Sequence, residues 1–144
     1  MGSETRAVAE RLRDGLAERG MIPVGLGVMI AIEAGAPRGI VSGVGEPRRF
    51  PVAWYDDPTG SLPPVTATFW AAVLPDLDAP ATWGVLLGLL AAEGGEWQVE
   101  SCGTEGVSVL RSPDGDWRDE TVQQHVGLPG DALALAVLAA LGER

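Results

Sequence analysis

The first half of the chain shows one helical period followed by a series of short apolar segments. Val8, Leu12 and Leu16 recur every four residues, so they share one face of a helix predicted over residues 4–19, and Gly20 follows as its C-cap. Apolar runs separated by turn residues predict strands over residues 24–33, 40–44, 49–55 and 65–74. Pro51 cannot donate a ladder hydrogen bond, which predicts that the third of these strands lies at a sheet edge or carries a bulge.

The second half predicts a helix, three strands and a helix. The first helix follows Asp78, its predicted N-cap, has Pro80 in its first turn, runs to about Glu93 and stops at Gly94-Gly95. Alternating residues and turns then predict an antiparallel meander, in which Asp114-Gly115 is a hairpin signal before a third strand over 117–124. The last helix is predicted from Asp131 to Leu141.

Both later helices are apolar around most of their circumference. In the first of these two helices, Leu86 and Leu90 mark one face, while Val85 and Leu89 lie opposite. A helix that is apolar all round is normally covered on more than one side. Either the first half of the chain packs over these helices or a second subunit does, and partial burial in a homo-oligomer is the slightly preferred interpretation.

Together these elements predict an α+β fold, with antiparallel sheets and helices packed on their faces. The length fits a single domain over residues 1–144. We divide it into an N-terminal half, residues 1–74, with one helix and about four strands, and a C-terminal half, residues 75–144.

Residues from about 75 to 141 resemble the small ABA sandwich domains of tailed-phage genomes. The resemblance is carried by Pro75-Asp76-Leu77-Asp78, by Gly94-Gly95-Glu96-Trp97, and by Leu128-Pro129-Gly130 ahead of an Ala- and Leu-rich last helix. The chain departs from the family around residues 134–136, where a Cys-Arg pair is common and only Ala and Leu are present. The resemblance implies a phage or prophage origin and a sandwich of helix and sheet layers, but no activity.

The charge and the single cysteine narrow the classes of partner and site. Twenty acidic residues against ten basic ones give a net charge of −10, and this negative field repels nucleic-acid phosphates and anionic lipid. The longest apolar runs are shorter than the roughly 18 residues of a membrane helix. Cys102 alone cannot form an internal disulfide or a multi-cysteine metal site. We therefore expect a soluble cytoplasmic protein without nucleic-acid or membrane partners.

Arginine and aromatic residues near the third strand form the first candidate binding site. Arg48 and Arg49 precede Phe50, and Trp54 and Tyr55 follow closely. Guanidinium groups and aromatic rings bind anions and nucleotides, and they are equally common in protein interfaces. The sequence leaves open a solvent-facing arginine pair, a protein partner and a small-molecule ligand, in that order.

Other candidate chemistry is weaker. Cys102 and His125 could act as a nucleophile and its base if the sheet brings them together, but a lone cysteine is more often a small buried residue. The acidic cluster of Asp114, Asp116, Asp119 and Glu120 invites a cation, yet solvated turn residues explain it better. The glycines at positions 25 and 27 lack the third glycine and the following helix of a dinucleotide loop.

These observations favour a non-enzymatic phage or prophage accessory or assembly protein that binds other protein chains, its own copies first. We expect no cofactor and no metal, and a location in the host cytoplasm if the protein is phage-encoded. One alternative is a small-ligand protein that sequesters a nucleotide-like host signal through Arg48, Arg49, Trp54 and Tyr55. The other is an enzyme that uses Cys102 and His125.

Overall fold

A computed structural model describes residues 2–30, 38–56, 73–101, 103, 106–118 and 120–142 of the 144-residue chain. These residues form, in chain order, α1 (Ser3–Glu18), β1 (Gly27–Ile30), β2 (Arg38–Val41), β3 (Val52–Asp56), β4 (Val73–Pro75), α2 (Pro80–Ala92), β5 (Glu96–Ser101), β6 (Val107–Ser112), β7 (Gln123–Gly127) and α3 (Pro129–Gly142). The strands make two antiparallel sheets, ordered β3-β2-β1-β4 and β5-β6-β7. The fold is therefore α+β, and the order of helix, three strands and helix in the second half is confirmed.

Helices α1 and α3 lie side by side and run in the same direction. Near their starts, Thr5 Oγ1 donates a hydrogen bond to Asp131 Oδ2 at 3.0 Å. Near their ends, the Arg19 guanidinium donates to the carbonyl of Leu141. Between these points Gly15 allows close approach, because a Cβ there would lie 3.1 Å from Leu138 Cδ2. The first and last helices therefore pack in parallel, with the start of α1 and the end of α3 at opposite ends of the pair.

One hydrophobic cluster joins all three helices with both sheets. It includes Leu12 and Leu16 of α1, which lie on the face that the four-residue period predicts. The larger set of fully buried side chains from the other elements includes Leu26, Val28, Val41, Phe50, Val52, Leu74, Leu86, Leu90 and Val109. Burial of these apolar side chains is the main favourable contribution to folding.

Helix α3 is covered by the chain itself. It packs against α1, α2, β6 and β7, and every residue from 130 to 141 is buried or half-buried. Of the two explanations for an all-round apolar helix, packing within the chain therefore applies to α3. Helix α2 differs, because one side of it remains exposed.

The four-stranded sheet places β3 at an edge, as Pro51 predicts. The predicted alternation also holds there, since Phe50 and Val52 are buried while Arg49 and Tyr55 are exposed. Strand β1 begins at Gly27 rather than at 24, and β2 ends at Val41 rather than at 44, while residues 31–33 of the first predicted strand lie outside the described residues. Of the strand predicted over 65–74, only its end, in β4, lies within the described residues.

Three predicted boundaries in the second half are wrong. The third strand of the meander begins at Gln123 rather than at 117, because the Asp114 and Asp116 side chains accept hydrogen bonds from the backbone N–H groups two residues on. The Asp114-Gly115 pair thus opens a longer connection and not a two-residue hairpin. Ala79, not Asp78, is the N-cap of α2, since Asp76 Oδ1 accepts the N–H of Asp78. Helix α3 starts at Pro129, whose missing N–H costs nothing in a first turn.

Candidate functional site

The outward side of α2 is a continuous apolar surface. None of the thirteen residues of this helix is charged, and its one hydroxyl residue, Thr82, is buried and accepts a hydrogen bond from the backbone N–H of Gly27 at 3.0 Å. The positions that face solvent follow the helical spacing of a single stripe. Besides Pro80 in the first turn, they are Ala81, Gly84, Gly88, Ala91 and Ala92, and we call these five the α2 face.

Larger apolar side chains flank the α2 face on both sides. Val85, Leu87 and Leu89 are half-buried against the core, and a Cβ at Gly84 or Gly88 would meet no atom within 4 Å. A surface helix normally turns charged or polar residues to water. The α2 face lacks them, so a partner could approach the helix backbone closely without removing a charge from water.

Strand β5 forms an open sheet edge next to this helix. Within the described residues it has a hydrogen-bonded neighbour strand, β6, on one side only, and five of its six residues are exposed. Helix α2 packs beside α3 and contacts β5, while α3 covers β6 and β7. Among the described helices, α2 is therefore the one that lies beside the edge strand β5.

The two faces of the β5-β6-β7 sheet differ in polarity. Cross-strand pairing places Trp97 opposite Arg111 and Val99 opposite Val109, and the burial of Val109 shows that this face meets the helices. Gln98 and Glu100 point to the other face, where Gln98 Nε2 donates to Glu100 Oε1 at 2.8 Å. Val99 belongs to the inward face, yet 41% of its surface is exposed because the helices do not reach over the edge.

His125 lies on the inward face of β7, opposite Val109. Burial lowers the pKa of its imidazole, because the charged form loses water contacts there. Its Nε2 atom has no hydrogen-bond partner among the described residues. Cys102, its proposed partner in the enzyme hypothesis, lies outside the described residues, so the pair stays a prediction.

The arginines and aromatics of the first candidate site lie in two places. Arg48 and Arg49 are exposed in a tight turn, where the backbones of Glu46 and Arg49 exchange two hydrogen bonds of 3.0 and 2.9 Å. Trp54 and Tyr55 lie further along, within β3, where Trp54 is half-buried and Tyr55 is exposed. The two aromatic side chains point to opposite faces of the strand.

A groove of about 800 Å³ opens between the start of α1, the end of β7 and the start of α3. Its lining is mixed, with Val8, Leu128 and Leu135 beside Glu4 and Asp131. Burial raises the pKa of Asp131, the hydrogen bond from Thr5 lowers it, and the nearby charges of Asp78 and Glu4 raise it again. Acidic residues in the first turn of a helix are also favoured by its dipole, so these carboxylates have a structural role in α1 and α3.

Three members of the acidic cluster, Asp114, Asp116 and Glu120, lie in the β6–β7 connection, and Asp119 lies outside the described residues. Asp114 Oδ1 accepts hydrogen bonds from the N–H of Asp116 at 2.9 Å and from Ser112 Oγ at 3.3 Å. In the part of the chain that the structure describes, no three His, Cys, Asp or Glu side chains gather as metal ligands would. Among the helices described, none has the length and hydropathy needed to cross a membrane.

Sequence reasoning identified α2 as apolar all round but missed the small residues that make up its exposed stripe. The signal was a helix without charge in which Ala and Gly recur at positions 81, 84, 88 and 91. The open edge of β5 had no sequence signal, since strand order depends on the whole fold.

Comparison with known proteins found no relative of this chain. No protein-family model, no curated protein and no solved structure matches the chain.

Proposed function

We propose that this protein is a non-enzymatic accessory or assembly protein that acts through protein–protein contacts, in the first place with copies of itself. The observation that carries the proposal is the α2 face, an exposed helical surface of Ala and Gly with no charged residue in a chain of net charge −10. Contiguous apolar surface of this kind is typical of interaction sites.

The charge distribution favours a second copy as the first partner. Two chains of net charge −10 repel each other, and the repulsion is weakest where neither surface carries charge. The α2 face is such a surface, and a twofold arrangement would bring the same neutral stripe from both copies together. Gly84 and Gly88 leave room for the two helix backbones to approach closely.

The resemblance of residues 75–141 to phage ABA sandwich domains supports a phage or prophage origin for this proposal. It would place the protein in the cytoplasm of the host cell, where phage components assemble. No cofactor is required for a function of this type, because the work is done by surface complementarity.

Light scattering across a wide concentration range tests the proposal. We expect twice the subunit mass at high protein concentration, and the subunit mass for the variant Ala91→Glu, which adds a charge to the α2 face. Ala17→Glu is the matched control, since Ala17 is also exposed near the C-terminal end of a helix, in α1. A wild-type protein that stays monomeric at high concentration, or an Ala17→Glu variant that dissociates equally, would refute the proposal.

A small-ligand protein is the second candidate function, and the exposed arginine pair at residues 48 and 49 favours it. A guanidinium pair on a rigid turn can bind a phosphate by charge-assisted hydrogen bonds. Nucleotides should then raise the melting temperature of the wild-type protein and not that of an Arg48→Ala, Arg49→Ala double variant. If no nucleotide shifts the wild-type melting temperature, this second function is rejected.

A further inference from the structure

We infer that β5 pairs antiparallel with β5 of a second copy, with Val99 opposite the partner's Val99, so that the two three-stranded sheets become one sheet of six strands. This inference rests on the proposed self-association and specifies its interface and register. It places the open edge of β5 at the centre of the interface, with α2, the helix that contacts β5, beside it.

Strand β5 is the edge strand best suited to accept another strand. It has six residues, whereas the other described edge strands, β3, β4 and β7, have five, three and five. It contains no proline or glycine, and its register with β6 is regular over all six pairs. An exposed, regular edge presents unpaired N–H and C=O groups to a neighbouring chain, and proteins normally protect such edges.

Symmetry limits the registers that β5 can adopt with a second copy. A twofold axis perpendicular to the sheet keeps the helices of both copies on one side, so opposite residues must point to the same face. The axis must then lie midway between one β5 residue and the same residue of the partner, and near the centre of β5 this residue is Trp97, Gln98, Val99 or Glu100.

The charges of β5 select among these four axes. An axis at Gln98 puts Glu96 opposite the partner's Glu100 twice, and an axis at Glu100 puts two Glu100 side chains opposite each other. Like charges directly opposite across a sheet are destabilising. An axis at Trp97 pairs only three β5 residues, because Gly94 and Gly95 have φ values of 80° and 78° and leave the strand conformation.

An axis at Val99 avoids all of these conflicts. Residues 97 to 101 then pair with the same residues of the partner, and each Gln98 lies opposite the partner's Glu100. A side-chain amide can donate to a carboxylate in that position, as Gln98 already does within its own strand. Val99, 41% exposed in one copy, meets its counterpart on the face that the two α2 helices share.

Disulfide crosslinking of single-cysteine variants tests the register of the β5–β5 pair directly. In a Cys102→Ser background that light scattering shows to remain dimeric, Val99→Cys should give a disulfide-linked dimer under mild oxidation, since directly opposite residues have Cα atoms within disulfide reach. Gln98→Cys and Glu100→Cys should remain largely uncrosslinked. A dimeric protein that crosslinks through position 98 or 100, or through none of the three, overturns the register and leaves self-association standing. A monomeric protein overturns both.

A charge exchange provides an independent readout. Gln98→Glu places two Glu–Glu pairs across the interface and should weaken the dimer roughly tenfold. Adding Glu100→Gln restores an amide opposite each carboxylate, so the double variant should dimerise like the wild type at the same net charge. Thermal unfolding of dilute monomers controls for folding. If the double variant is as weak as the single one, the register is wrong.

Discussion

Thr5 Oγ1 donates a hydrogen bond to Asp131 Oδ2 at 3.0 Å, across 126 positions of sequence. The bond joins the first turn of α1 to the first turn of α3, and these helices lie at opposite ends of the chain. The other carboxylate oxygen, Oδ1, is buried and has no hydrogen-bond partner among the described residues. Among the described residues, Thr5 therefore supplies the side-chain hydrogen bond that the Asp131 carboxylate accepts.

Replacing Thr5 by Val should destabilise the fold by about 1–2 kcal/mol at neutral pH, because the partly buried Asp131 carboxylate loses its donor. The loss should shrink as the pH falls through the raised pKa of Asp131, since a protonated carboxyl depends less on an acceptor bond. Urea unfolding at several pH values measures both effects. Ser3→Ala, at an exposed position of the same turn, should change little. Equal effects of the two substitutions would contradict this role for Thr5.

His125 should make the fold sensitive to mild acid. Its pKa is lowered by burial, so the unfolded chain takes up a proton near pH 6.5, where the folded protein does not. The free energy of unfolding should therefore fall as the pH drops through that region and until the folded pKa is reached. His125→Gln should remove this component, which melting curves between about pH 7.5 and pH 5 would show. If stability depends on pH in the same way in His125→Gln as in the wild type, His125 does not have this role.

Asp76 should change the pH dependence of stability in the direction opposite to His125, lowering the free energy of unfolding as the pH rises. Its carboxylate is fully buried, and burial raises its pKa more than Arg38, 3.7 Å away, lowers it. Its contribution to stability is therefore complete below about pH 3.8 and is lost as the pH rises through the folded pKa. Relative to Asp76→Asn, the wild type should become less stable with rising pH. Glu18→Gln, at an exposed position of α1, serves as the control in the same urea titrations.

Two helical glycines should respond oppositely to alanine. Gly130 packs directly on Leu77, whose carbonyl oxygen also accepts a hydrogen bond from Trp83 Nε1 at 2.6 Å, so a Cβ at position 130 would collide with that carbonyl. Gly130→Ala should cost at least about 3 kcal/mol or prevent folding. Gly88 faces open space, and Gly88→Ala should stabilise the dilute monomer by up to about 1 kcal/mol. A tolerated Gly130→Ala would show that the contact with Leu77 can relax.

Only one of the two properties of the candidate site, its lack of charge, could be predicted from the sequence; its exposure could not. The absence of charge over residues 80–92 is a sequence property, and it correctly marked α2 as unusual. An apolar pattern around most of the circumference was also present in α3, which carries Asp131 in its first turn, and the structure shows a different outcome there, because α1, α2 and two strands surround that helix. Periodicity reports which side chains are apolar, whereas the contacts between distant elements determine which of them stay exposed.

Errors in the predicted boundaries have the same origin. A strand was predicted from Trp117 onward, but Trp117 Nε1 donates to Glu96 Oε2 at 2.7 Å and so connects this segment to the start of β5, 21 positions earlier. Local alternation cannot anticipate such a contact. The turn chemistry of Asp114 was recognised correctly, and only the length of the connection that follows it was not.

The sequence by itself determined the elements of this protein: the helical face of Leu12 and Leu16, and the alternation around Trp97. The glycine predicted as the C-cap of α1, Gly20, has the expected positive φ of 65° but follows the C-cap, which is Arg19. These depend on interactions between residues close in the chain. Only the tertiary structure decided that β5 lies at a sheet edge, that α3 is enclosed, and that the small residues of α2 face outward. Those outcomes depend on which distant segments cover one another. The hydrophobic period of a helix or strand does not show which segments will cover it.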